Sequence, residues 1–461
     1  MRESVELVKS HALACLPATL QRLTGYLGVP AISCDPEHHP DVERLARRVS
    51  EDLSALGFEA RVVSLPGALP LVAAERRCAE PGRPTLLIYG HLDLQPVKGE
   101  AWTQAPHEPR IQDGRLFARG SADDMGGWVS HLAALEACLS VVGELPLNVK
   151  LVIEGEEEIG SPNLERYMDA YPELFEADVM VLTDCENPSP DIPGLTVSLR
   201  GLFELEVTCE ALGADVHSGL WGNVVPDSGN ALILLLGRLL DAQGRLRLGQ
   251  VEVAPALRAQ FEKVPLDRDT IREATHMIDG VEPLPAEGRS FAEWLWRQPA
   301  VTVLSTTFPR RENHKNAVRG RASAVLSIRI APGQTRQDLM DLIEPVLLAD
   351  PPGGVRVVVT ERPGWGQSWL YEPKGEAFAA ADRAYTRAWG RPLLPIGIGG
   401  SIPFVALFGK RYSKLPLILN GVLDPKSGAH GPDESLHLGI FEKAILANIE
   451  LLYELAEFPT A

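Results

Sequence analysis

Apolar residues recur at helical spacing in two opening stretches: Leu13, Leu16, Leu20, Leu23 and Leu27, then Val42, Leu45, Val49, Leu53 and Leu56, with Gly57 stopping the second. Short apolar runs follow at 61–63, 86–89, 149–153 and 179–182. They are too short for helices and rich in β-branched or aliphatic residues, so they predict strands. Helix-length stretches, such as 125–142, separate them. Alternating strand and helix predicts an α/β fold whose largely parallel sheet is covered by helices on both faces.

From about Leu195 the pattern changes. Alternation at 203–207 predicts a strand, a helix follows near 230–240, and a long Pro- and charge-rich stretch leads to another strand at 324–330 and a helix. This reads as an inserted α+β unit. After Glu372, a helix over 377–389, a strand over 415–419 and a helix over 436–455 predict a return to the first sheet. The expected division is therefore 1–197 and 374–461 as one domain, interrupted by 198–373. A chain of 461 residues exceeds the roughly 250–300 that a single core serves, which agrees with two domains.

Composition narrows the partners. Lys and Arg number 44 against 62 Asp and Glu, a net charge of −18, and so acidic a surface repels nucleic acid backbones and anionic lipid heads. The most apolar stretch, 231–240, is half the length of a bilayer crossing and contains Arg238. Neither a nucleic acid nor a membrane partner is expected. Acidic Glu3 and Glu6 stand where a signal peptide needs base. The six cysteines are sparse and include no C-x-x-C pair, which suits a reducing cytoplasm.

Histidines and acids gather where strands are expected to end, the usual ligand position of an open α/β sheet. His91 and Asp93 follow the strand at 86–89, and alternation puts both on one face. Alone, this H-x-D is as consistent with a solvated turn. Asp123 and Asp124, flanked by Gly120, Gly126 and Gly127, open a helix, where an acid also serves as a cap. Glu154, Glu156, Glu157 and Glu158 leave the strand at 149–153, and such crowded carboxylates repel one another unless a cation or solvent relieves them. Asp184 tips the next strand. His217 and His430 are, singly, as consistent with structural roles. Taken together, two histidines and several carboxylates at strand ends suit a pair of divalent cations. G-x-S-x-G, a P-loop and a dinucleotide fingerprint are missing from the sequence.

The motifs GHLDLQP, ARGSADDMGG, EGEEEIGS, TDCEN, HSG, SIRIAP, GGSIP and GAHGPDE occur in this order from Gly90 to Glu434. On them the chain resembles the M20 family of dinuclear zinc aminoacylases and peptidases, most of all the carnosinase and cytosolic nonspecific dipeptidase branch. The resemblance implies a catalytic domain with an inserted, ferredoxin-like lid and dimerisation domain. It implies His91 and Asp184 on one metal, Glu158 and His430 on the other, Asp123 bridging, and a cis Asp123-Asp124 bond. The metals would be two zinc ions, with manganese or cobalt as alternatives. Asp93 would orient His91. Glu157 would be the general base that generates a metal-bound hydroxide. His217 would stabilise the oxyanion from across a two-fold dimer, and Arg329 with Gly400 and Ser401 would hold the substrate's carboxylate.

The expected activity is an exopeptidase acting on dipeptides or the C-terminal residue of short peptides. Relatives often carry an acid just before GGSIP, where this chain has Ile396-Gly397-Ile398, so an N-acyl-amino-acid deacylase using the same site is the alternative. A non-catalytic binding protein on the same fold is a third reading, against which the complete ligand set counts.

Overall fold

The computed structural model describes residues 2–275, 277–364, 366–400, 403–412 and 414–459. Helices α1 (Arg2–Ala14), α2 (Leu16–Leu27) and α3 (His39–Ala55) precede strands β1 (Glu59–Val63), β2 (Leu71–Arg76) and β3 (Thr85–His91). Helix α4 (Met125–Val142) leads to β4 (Asn148–Glu154), β5 (Val179–Leu182) and β6 (Gly194–Leu199). Next come β7 (Gly201–Glu210), α5 (Ser228–Gly237), β8 (Ala300–Thr306), β9 (Arg321–Ile330), α6 (Arg336–Leu348) and β10 (Arg356–Glu361). The chain closes with α7 (Glu376–Trp389), β11 (Leu394–Ile398), β12 (Leu417–Leu419) and α8 (Leu438–Leu455).

The first sheet runs β1-β2-β4-β3-β5-β12. Strands β4, β3, β5 and β12 are parallel, and β2 and β1 add antiparallel beyond β4. Burial on both faces explains the unbroken apolar runs: Leu86 and Ile88 of β3 face one core with α4 and α8, while Leu87 and Tyr89 face another with Phe404 and Phe408. Helix α4 is long and apolar enough by composition to cross a membrane, yet most of it is buried inside the protein. It packs against β3 below and against α1, α2 and α8. That double cover is why it lacks a polar face.

The inserted strands form a separate antiparallel sheet, β8-β9-β7-β10. Their β-α-β-β-α-β order is that of a ferredoxin-like unit. Phe203, Leu205 and Val207 alternate inward to meet Leu232 and Leu235 of α5 and Leu339 and Ile343 of α6. A third sheet joins β6 to β11 in parallel and to Trp369–Leu370 in antiparallel fashion.

Two features differ from the sequence-based expectation. The opening helical pattern divides at Cys15, because Pro17 has no N–H to continue a helix but suits the first turn of a new one. The Pro- and charge-rich stretch contains three seven-residue helices, Pro255–Phe261, Arg268–Ala274 and Phe291–Arg297, each too short for a visible period.

Candidate metal centre

Parallel register brings the chemistry together. His91, the last residue of β3, lies opposite Glu154, the last of β4, and Tyr89 lies opposite Leu182 of β5, so the segments carrying Glu157, Glu158 and Asp184 leave the sheet side by side. His91 Nδ1 is 3.1 Å from the Asp93 carbonyl oxygen, and Nε2 is 3.1 Å from Asp123 Oδ1. The other Asp123 oxygen is 3.1 Å from His430 Nε2, which is also 3.4 Å from Glu158 Oε2. Two donor groups result, His91 with Asp123 and Asp184, and Asp123 with Glu158 and His430, each with its atoms within 4.8 Å. Asp123 is common to both. Mixed imidazole and carboxylate donors of this kind fit divalent cations such as zinc, manganese or cobalt.

Electrostatics supports the fit. Burial, together with the negative charge of Asp123, pushes Asp184 up to about 7. Glu157 and Glu158 are raised well above the usual carboxylate range, first by burial and then by surrounding carboxylates. Burial opposes the charges of His91 and Asp123, but their mutual hydrogen bond, with further ones from Asp93 and His430, raises His91 and lowers Asp123. Cations at these positions would replace the proton between imidazole and carboxylate and relieve the repulsion.

Glu154, which ends β4, and the three glutamates after it separate by partner. Glu154 meets the Tyr89 hydroxyl and accepts from Ser161 Oγ at 3.1 Å. Glu156 accepts from the Leu69 amide at 2.7 Å and from Asn163 Nδ2. Glu158 accepts from Gln95 Nε2 at 2.6 Å, and the Glu157 carboxylate has no hydrogen-bond partner among the described residues. Asp93 is buried, with Oδ1 3.5 Å from His91 Nδ1, and its two oxygens accept from the Glu157 and Glu158 amides at 3.1 and 3.0 Å. Its backbone therefore meets the imidazole while its carboxylate holds the glutamate turn.

Two residues without a role in the sequence reading support the cluster. Glu434 is buried, accepts from the Gly120, Ala122 and Asp123 amides at 3.1 Å, and receives Arg119 Nη1 at 2.9 Å. Asp124 turns away from the donor groups and accepts from the His91 amide and from Thr183 Oγ1. A Cβ on Gly90 would lie 2.6 Å from Asp124 Oδ2, and one on Gly127 2.1 Å from Oδ1, so both positions need glycine to admit this carboxylate. The Asp123-Asp124 peptide bond is cis.

Residues 87–457 match the family described as Peptidase family M20/M25/M40. The chain belongs to this family. The peptidase is 33% identical to the Cysteinylglycine-S-conjugate dipeptidase of Corynebacterium striatum over 421 residues, covering 90% of this chain and 91% of that one. Its fold is shared with the dipeptidase Dug1p from Saccharomyces cerevisiae, at TM-score 0.80 and 24% identity over the full length of both chains. Human carnosine dipeptidase 1 superposes at TM-score 0.79 and 24% identity, covering 98% of this chain and 99% of that one.

Among the described residues, His217, Arg329 and Gly400 of the peptidase belong to neither donor group. His217 is exposed on the inserted unit, where it pairs with Ala317 and its Nδ1 accepts from the Gly219 amide at 3.1 Å. Arg329 is half-buried in β9, and burial lowers its pKa. Gly400 follows β11, and Ser401 lies outside the described residues.

Proposed function

We propose that this peptidase is a dinuclear-metal exopeptidase that hydrolyses dipeptides or removes the C-terminal residue of short peptides. The observation that carries the reading is the pair of donor groups sharing Asp123, beside a Glu157 carboxylate with no hydrogen-bond partner among the described residues. Divalent cations held there, zinc foremost, would polarise the scissile carbonyl and acidify the attacking water. Glu157 accepts that water's proton and delivers it to the leaving amine, for which a raised affinity for protons suits it. Arg329 binds the substrate's terminal carboxylate with its planar fork, helped by Gly400 and Ser401. Similarity to the cysteinylglycine conjugate dipeptidase supports small peptides as the substrate class over N-acyl amino acids.

The inserted unit, residues 198–373, would pair two copies so that His217 of one stabilises the oxyanion in the other. Supporting this, β8 is an edge strand with Val303 and Leu304 exposed, and Leu220, Val224, Ile233 and Leu234 of the same unit are more than half exposed. Six free cysteines favour a reducing cytoplasm.

Glu157→Ala tests the central assignment. Turnover of a dipeptide should fall roughly 10²- to 10⁴-fold, while metal content measured by elemental analysis stays at the wild-type level. Activity within a few-fold of wild type at matched metal content would remove Glu157 as the base.

A further inference from the structure

Arg200 is the single residue between β6 and β7, where the chain leaves the third sheet for the inserted unit. On one side β6 pairs with β11 up to Leu199 opposite Ile398, which brings the end of β11 and the following Gly399-Gly400 alongside. On the other, Gly201 lies opposite Ile330 and Leu202 opposite Arg329. Continuing that alternation puts Arg200 and Arg329 on one face as diagonal neighbours.

Among the described residues, the Arg200 guanidinium donates only to backbone carbonyls. Its Nε donates to the Gly399 carbonyl at 2.9 Å and Nη1 to the Gln298 carbonyl at 3.4 Å. A Cβ on Gly399 would lie 2.9 Å from Nη2, so the group rests against the chain immediately before Gly400. Gln298 is fully buried and exchanges hydrogen bonds with the backbone of Val251, which makes it a fixed anchor. The Arg329 guanidinium has no hydrogen bond among the described residues, and neither arginine has a carboxylate in ion-pair range there. Buried Arg119, by contrast, is matched by Glu434 at 2.9 Å, and Arg258 by Glu293 at 2.9 Å. Burial and then the Arg329 charge push Arg200 down to about 10. Two half-buried cations without a counter-charge are unfavourable together, and an anion bound beside them removes the cost.

We propose that Arg200 is a positioning residue for the substrate's terminal carboxylate: it locks the Gly399-Gly400 backbone to the strand bearing Arg329 and adds a second positive charge to that site. The inference rests on the exopeptidase reading above and extends it to a residue outside the expected carboxylate clamp.

The test uses the metal-loaded enzyme and one dipeptide offered with a free and with an amidated C-terminus. Wild type should strongly prefer the free acid. Arg200→Gln should lower that preference, the ratio of the two kcat/KM values, by about tenfold, through KM on the free acid with kcat changed less than about threefold. Arg200→Lys keeps the charge but not the two-carbonyl grip and should fall between. Arg200→Gln combined with Arg329→Gln should lose less than the product of the single losses, because both act on one anion. Should Arg200→Gln fail to fold, Arg200→Lys carries the test, with a drop of about threefold expected. An unchanged ratio, or equal losses on both substrates, would overturn the inference and leave Arg200 a structural residue. If wild type hydrolyses acid and amide equally, the exopeptidase reading fails first and the inference falls with it.

Discussion

Around the donor groups, three of the five candidate ligands are steadied from within the same chain: His91 by the Asp93 carbonyl, the Asp123 backbone amide by Glu434 and the Glu158 carboxylate by Gln95. On the inserted unit the opposite holds. His217 is exposed with one hydrogen bond to a near neighbour, and Arg329 is half-buried with no protein counter-charge among the described residues. A metal site gains from being rigid before the ion arrives, since outer partners fix ligand orientation and tautomer. A substrate-reading surface gains from groups left unsatisfied until an anion or a second subunit meets them.

The sharpest way to break this contrast is at Glu434. Glu434→Ala leaves Arg119 without its nearest counter-charge and three amides without their acceptor, so stability should drop by about 3–5 kcal/mol, and metal affinity with it. Chemical denaturation and metal titration would read both, and a near-wild-type unfolding midpoint would show the cluster less dependent on its surroundings than its geometry implies.

His217→Ala comes next. Removing an exposed side chain should leave stability within about 0.5 kcal/mol. Turnover should nevertheless fall by roughly 10²- to 10³-fold. Mixing it with Glu157→Ala separates the two ways His217 could act. Random subunit exchange makes half the dimers mixed, each with one intact site of two, so activity should return to about a quarter of wild type. A mixture that stays inactive after exchange verified by mass spectrometry would put His217 in its own subunit's site.

A smaller effect is expected at Arg329→Lys, which keeps the charge and loses the fork. Efficiency on free-acid dipeptides should fall about tenfold with melting temperature unchanged. An equal fall on amidated substrates would show that the residue serves the fold instead of the carboxylate.

Much of the scaffold was legible because local periodicity reports burial. Helix α4 spans Met125–Val142 and β5 Val179–Leu182 at the positions their apolar runs predict, since most of α4 and all of β5 are buried. The donor residues also stood out, being polar groups at the ends of apolar strands. Their support did not. Arg119 and Glu434 meet across 315 positions of chain, and Arg200 reaches Gly399 across 199, distances over which no local pattern carries information.

What the sequence determined by itself was therefore the alternation of strand and helix, the inserted unit, and the set of imidazoles and carboxylates able to bind cations. These depend on residue type and short-range spacing, which survive without a partner in view. Tertiary structure alone decided which of four consecutive-looking glutamates remain free. Glu154 and Glu156 turn to Tyr89, Ser161, Leu69 and Asn163, whereas Glu157 has no hydrogen-bond partner for its carboxylate among the described residues. Only the packed chain brings donors from distant segments within hydrogen-bond reach, and a buried carboxylate that finds such donors is satisfied by the protein, while one that does not is left to a cation or a substrate.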